Sequence, residues 1–269
     1  MTLMDTTTQF WRDAALPYAE SRRACISRAC YKPHSHPTYS VGAIDQGQSL
    51  FSSEGRKPVI LEPGTLVLVP AGHVHSCNPR PGLTWSYQML YLSAAWLAEV
   101  RAEYNGRQEA VRLIRNPDMY AKFCALNALL FSTSDAQEKE AALVEFVGDC
   151  DAYQVTAMDD LVPAASASPQ QLLPVFEILR AAPTTNFSLE LLARSARMSR
   201  YQLIRAFRSA TGLTPHAWQL NHRVNLAKEL IRAGESSACV AHTLGFADQA
   251  HFQRVFKAYA GITPGGFRA

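Results

Sequence analysis

Arg205 and Arg208 stand three residues apart in the string RYQLIRAFRSATGLTP, and 49 residues later Arg254 and Lys257 hold the same places in QAHFQRVFKAYAGITP. A guanidinium can bind a guanine edge through two parallel N–H bonds, a glutamine can do the same for adenine, and an apolar side chain can touch a thymine methyl. Side chains of these types surround the basic residues: Arg200, Tyr201, Gln202 and Ile204 in the first copy, Gln249, Ala250, His251 and Gln253 in the second. Arg208 and Lys257, furthest along each string, suit phosphate rather than a base. Ala250 has no side-chain hydrogen bond to offer, which predicts that the second copy reads fewer bases or uses a methyl contact.

Such residues read bases only from the outer face of a helix, and each copy carries the devices that make one. In the first, Ser199 is an N-cap, Leu203, Ala206, Phe207 and Ala210 form the apolar face, Gly212 is the stop, and Thr214-Pro215 restarts the chain. In the second, Asp248, then Phe252, Val255, Phe256 and Tyr259, then Gly261 and Thr263-Pro264 repeat the order. A short apolar helix precedes each copy, SLELLARSA from Ser188 and SACVAHTLGF from Ser237, so each pair predicts a helix-turn-helix whose second helix enters a major groove. One unit alone fits the solvated face of a helical bundle equally well; two in register do not.

Charge agrees. The chain carries +3 overall, but the residues after Ser166 hold 12 Lys and Arg against 5 Asp and Glu, while those before hold 14 against 18. One half is built for a polyanion and the other for something else.

The C-terminal hundred residues resemble the DNA-binding domain of the AraC/XylS family of transcriptional regulators. LARSARMSRYQLIRAFRSATGLTP, the joining NHRVNLAKELI, and LGFADQAHFQRVFKAYAGITPGGFR carry the resemblance. It implies that Tyr201, Gln202, Ile204 and Arg205 face bases in the first unit, and Gln249, Ala250, His251 and Arg254 in the second. The joining helix, Pro215 to Arg232, would run about 27 Å at 1.5 Å per residue. That is long enough to set two reading helices about one DNA turn, roughly 34 Å, apart.

Upstream, Ser21 to Tyr91 reads as short strands broken by Gly and Pro, which implies a small barrel or jelly roll. TLVLV reads as a strand buried on both faces, and Trp85, Tyr87, Met89 and Tyr91 alternate along one face of another. Ala94 to Tyr153 turns helical, supplying two amphipathic helices that pack back on the barrel or form a dimer face. YKPHSHPTYSVGAIDQG and PGTLVLVPAGHVH resemble the two motifs of a cupin barrel in the form many AraC/XylS regulators use to sense effectors. His34, His36 and His75 match that fold's metal-binding histidines, but its glutamate is replaced by Ser40 or Val41. The three are therefore expected to be pocket or structural histidines, with no metal and no cofactor. Trp85, Tyr87 and Met89 join them as effector-binding candidates, and Tyr39, Asp45 and Cys77 follow from their places beside the motifs.

The expected architecture is α+β: a cupin-like effector-sensing and dimerisation domain over 1–161, a linker over 162–169, where VPAASASP has the composition of one, and an all-α double helix-turn-helix domain over 170–269. The resemblance implies double-stranded DNA, a small-molecule effector, RNA polymerase and a second copy of the chain as partners. Activation is the implied direction of control. No apolar run approaches the roughly 20 residues a spanning helix needs, and six scattered cysteines lack a C-x-x-C pair, so a cytoplasmic protein with reduced thiols is expected. Two other readings compete: a metal-dependent cupin oxygenase or isomerase with a helical appendage, and an alkyl-transfer DNA-repair protein. The first lacks its glutamate and the second an evidently activated cysteine.

Overall fold

The computed structural model describes residues 7–53, 57–104, 110–153 and 169–268. Among the described residues, nine antiparallel strands form two sheets. The larger has the order β1 (Thr8–Arg12), β2 (Ala19–Ser27), β8 (Trp85–Ser93), β3 (Thr38–Gln46), β6 (Leu66–Val69), β9 (Arg112–Ile114). The smaller runs β5 (Val59–Leu61), β4 (Ser49–Ser53), β7 (His75–Pro79). Between them lies a core of Ile44, Phe51, Leu61, Val67, Val69, Trp85 and Tyr87.

The outer face of the larger sheet is covered by α1 (Ala94–Ala102), α2 (Pro117–Leu130) and α3 (Ala136–Ala152), with Leu66, Leu68, Leu90 and Leu92 beneath Phe123 and Phe146. Both faces of β6 are therefore buried, which is why TLVLV has no polar alternation. The strands begin earlier than expected, at Thr8, and β9 interrupts the stretch read as helical. Three residues are too few to show a period of two; β9 exists because its backbone completes the edge of β6, Leu66 opposite Ile114.

The linker expected at 162–169 lies outside the described residues except for Pro169, which opens α4 (Pro169–Ala181). Then follow α5 (Leu189–Ser195), α6 (Arg200–Thr211), α7 (Pro215–Arg232), α8 (Ser237–Thr243), α9 (Gln249–Ala260) and α10 (Pro264–Arg268). The first unit closes over Leu172, Val175, Leu192, Leu203 and Phe207, and the second over Val224, Ile231, Val240, Phe252, Phe256 and Phe267. Helix α7 contributes to both, with Trp218 near Phe207 and with Val224 and Ile231 in the second core.

Candidate DNA-reading surface and effector cavity

Both candidate reading helices, α6 and α9, start and stop as their sequences require. Ser199 accepts from the Gln202 N–H at 3.2 Å while the Gln202 side chain accepts from the Ser199 N–H at 2.9 Å, a reciprocal cap. Asp248 caps α9 by accepting from the His251 N–H at 2.6 Å. Gly212 and Gly261 end the two helices, each at a φ of 70° where a Cβ would be strained.

The apolar stripes face the cores, so the opposite faces are open. Arg200, Tyr201, Gln202, Arg205 and Arg208 are exposed on α6, with Ile204 half-buried, and Gln249, Ala250, Gln253, Arg254 and Lys257 are exposed on α9. The Arg205 guanidinium lies 5.7 Å from the Tyr201 ring centroid, which restrains it over the outer face. His251 differs: its ring sits edge-on to Phe246 at 5.7 Å, and its Nδ1 is buried without a partner.

The effector candidates divide between locations. Strand pairing sets Glu20 opposite Tyr91, Arg22 opposite Met89 and Ala24 opposite Tyr87, so these six share the inner face of the larger sheet. Trp85 and Tyr87 are buried in the inner core, with Met89 and Cys77 packed against it. Cys77 accepts from the Ser49 hydroxyl, and burial pushes its thiol up to about 11. Tyr39 turns to the opposite face, beneath Arg101 in the helix-covered core. Asp45 accepts from the Gln88 amide at 2.9 Å and the Tyr120 hydroxyl at 2.8 Å, tying α2 to the sheet.

His34, His36 and His75 do meet, with ring centroids 4.8 to 6.1 Å apart. Each Nδ1 faces a backbone carbonyl, of Lys32, Thr38 and His73 respectively, so each carries its proton there and leaves Nε2 as an acceptor, which on His36 meets the Ser40 hydroxyl at 3.4 Å. Burial first, and mutual repulsion second, hold His34 and His36 well below the usual range; burial takes His75 to about 4. Among the described residues no group of three or more His, Cys, Asp or Glu is arranged to hold a metal ion.

His34 and His36 open onto a cavity of about 670 Å³ between the two domains, closed on the far side by α7. Its charges are unbalanced. Glu20 is engaged by Arg12 at 2.7 Å and Arg232 at 2.8 Å. That leaves Arg22, which is 5% exposed, bonded through Nη1 to the Ala260 carbonyl at 3.1 Å and ringed by Phe10, Tyr31 and Tyr87. Its Nε is buried without a partner. Lys228 reaches in from α7, and burial, with Arg232 beside it, lowers its ammonium to about 8.

Arg22, Lys228 and Tyr91 were not among the expected effector residues. A signal existed on α7, where Asn221, Asn225, Lys228 and Arg232 recur at helical spacing along one polar stripe. In a joining helix that stripe could as well have faced water.

Two protein-family models match the chain: an AraC-like ligand binding domain over residues 17–147 and a helix-turn-helix domain over residues 192–269. Together they span both halves of the structure. The chain belongs to the AraC/XylS family of transcriptional regulators. It is a DNA-binding regulator with an N-terminal effector-binding domain. Among AraC/XylS relatives, the uncharacterized HTH-type transcriptional regulator YbfI of Bacillus subtilis is 26% identical over 224 residues, 81% of this chain and 80% of that protein. The arabinose operon regulatory protein of Escherichia coli is 23% identical over 249 residues, 88% of this chain and 82% of its own.

In three dimensions, an apo variant of ToxT from Vibrio cholerae superposes with a TM-score of 0.60 at 14% identity, covering 93% of this chain and 97% of ToxT. A ToxT structure with an unsaturated fatty acid bound gives 0.56 at 13% identity, covering all of this chain and 97% of ToxT. At this identity the likeness concerns the two-domain fold alone. The relatives matched over most of their length are transcriptional regulators. No helix among the described residues is long and apolar enough to cross a membrane.

Proposed function

We propose that this regulator senses an organic anion with an apolar body, held in the cavity between its domains, and answers by engaging DNA through α6 and α9 as an activator. The observation that carries the reading is the buried Arg22 and the half-buried Lys228, which face one cavity from opposite domains while its Glu20 is engaged by Arg12 and Arg232. A buried charge without a counter-ion is costly. A carboxylate between the two supplies one and joins the domains, so it favours the docked arrangement over any other. Phe10, Tyr31, Ile231 and Phe267 give the remainder of the ligand apolar walls. The fatty acid in ToxT is a ligand of this class. In this reading the protein is a cytoplasmic homodimer that works with RNA polymerase, and the inner core of Trp85, Tyr87, Met89 and Cys77 supports the cavity.

Calorimetric titration of the full chain with hexadecenoate tests the ligand class, with the matching primary alcohol as control. Binding of the acid and not the alcohol is expected. Lys228→Met should weaken it about tenfold to a hundredfold, as for a lost hydrogen bond to a charged group. Equal binding of acid and alcohol, or an unaffected Lys228→Met variant, would sink the proposal.

The readers are tested separately, on duplexes selected from a random library at near-physiological salt, because weak salt rewards any basic surface. Arg205→Ala or Arg254→Ala should cost about 1–3 kcal/mol and relax base preference locally, whereas Lys257→Ala should weaken all sequences alike. Equal losses on selected and random DNA for every variant would overturn these roles.

A further inference from the structure

Every described hydrogen bond or ion pair between the domains reaches α7 or the second helix-turn-helix unit. Asn221 and Asn225 on α7 each donate to the Ser35 carbonyl at 3.0 Å, and Arg232 pairs with Glu20. Beyond α7 the contacts concentrate on the C-terminal end of α9. A helix ends with carbonyls that have no partner within it. Here the Lys32 N–H donates to the Ala258 carbonyl at 2.9 Å, and Arg22 donates to that of Ala260 at 3.1 Å. The Tyr31 ring lies against Gly261, where a Cβ would stand. Arg12 then donates to the Phe267 carbonyl at 3.0 Å, and Phe10 packs on the Phe267 ring at 5.7 Å. The first unit is tied instead to α7, through the Gln219 amide bonded to the Thr185 carbonyl at 2.8 Å and through Trp218.

We infer that the N-terminal domain serves as the C-terminal cap of the second reading helix, holding that unit ready for DNA while the first unit stands free of it. The clamp faces away from the reading residues: Gln249, Gln253 and Arg254 are exposed while Ala260 is buried. It therefore pre-orders α9 without covering it, and pre-ordering raises affinity by lowering the cost of binding. Arg22 belongs both to the clamp and to the cavity wall, so the cavity's occupant acts on the second reader and not on the first. The inference rests on the assignment of α6 and α9 as the two readers, and not on the chemistry of the effector.

The test uses the full chain and a duplex selected from a random library, then the same duplex with either of its two blocks scrambled. Tyr31→Ala removes the ring from Gly261, Tyr31→Phe keeps it, and Arg12→Ala removes a separate strand of the clamp. Tyr31→Ala and Arg12→Ala should each weaken binding by about fivefold or more on the intact duplex and on the one keeping only the second block, with less than about twofold change where only the first block remains. Tyr31→Phe keeps the ring against Gly261 and loses only the hydroxyl contact with Tyr87 at 2.6 Å, so it should weaken binding less than Tyr31→Ala on the two duplexes that keep the second block. Equal weakening on every duplex, tighter binding, or no change on any would overturn the inference. A selected site with one block would strike the two-reader assignment, and this inference with it.

Discussion

Lowering the pH from 6.5 towards 4 is expected to destabilise the N-terminal domain by about 3 kcal/mol through His75 alone, with His34 and His36 adding in the same direction. All three are neutral in the folded protein because burial lowers them. In the unfolded chain each takes a proton near its ordinary value of 6.5. The unfolded state therefore binds more protons throughout the interval, and stability falls as pH falls until the folded pKa is reached. Lys228 and Arg22 face the same site and oppose any further positive charge there. Urea unfolding at a series of pH values between 6.5 and 5 reads the slope. His75→Gln should flatten it by about 1.4 kcal/mol per pH unit, and a flat profile in the parent protein would show that these histidines are not buried neutral. At the alkaline end Lys228 acts in the same sense: lowered from 10.5 to about 8, it makes the folded protein gain stability as pH rises from about 8 to 10.5.

Truncating either repeated phenylalanine should have the largest single effect on the DNA-binding domain. Phe207 and Phe256 occupy equivalent places in the two copies, and both are fully buried. Phe207 packs on Phe176 at 4.9 Å and Trp218 at 6.3 Å; Phe256 packs on Phe252 and Phe267, both at 5.6 Å. Replacement by alanine removes the ring and leaves a hole that helices capped at both ends cannot close, at a cost of about 3–5 kcal/mol. Against a total stability of about 5–15 kcal/mol, that opens the affected unit for a measurable share of the time. The two aromatic groups lie in separate cores, so the two losses should be nearly additive. Footprinting would show which half of the site is lost: the first block for Phe207→Ala, the second for Phe256→Ala. A cost below about 1 kcal/mol for either would show that its ring is not the centre of its unit.

Much of this was legible in the sequence because it depends on neighbours along the chain. Caps, stops and apolar stripes are local, so Ser199, Asp248, Gly212, Gly261 and the exposed faces of α6 and α9 followed from residue order. The alternation of Trp85, Tyr87, Met89 and Tyr91 likewise set them on one face of β8. Among the candidate reading residues Ile204 and His251 depart from this, both half-buried, and the contact of His251 with Phe246 depends on how α8 meets α9.

Which strand face looks inward is not a local property. Tyr39 and Asp45 were grouped with the barrel histidines by their nearness in sequence, yet strand pairing turns Tyr39 to the helix-covered side and anchors Asp45 to α2. Nor could the order of residues show that β2 and α7, from opposite ends of the chain, would meet around one cavity. By itself the sequence determined the family, the two repeated helix-turn-helix units and the polarity of the faces of α6 and α9, all of which rest on periodicity and short-range hydrogen bonds. The tertiary structure alone decided that Arg22 and Lys228 share a cavity whose Glu20 is engaged by Arg12 and Arg232, and that Lys32 and Arg22 donate to the last carbonyls of α9, because burial and long-range pairing arise only when the two domains pack.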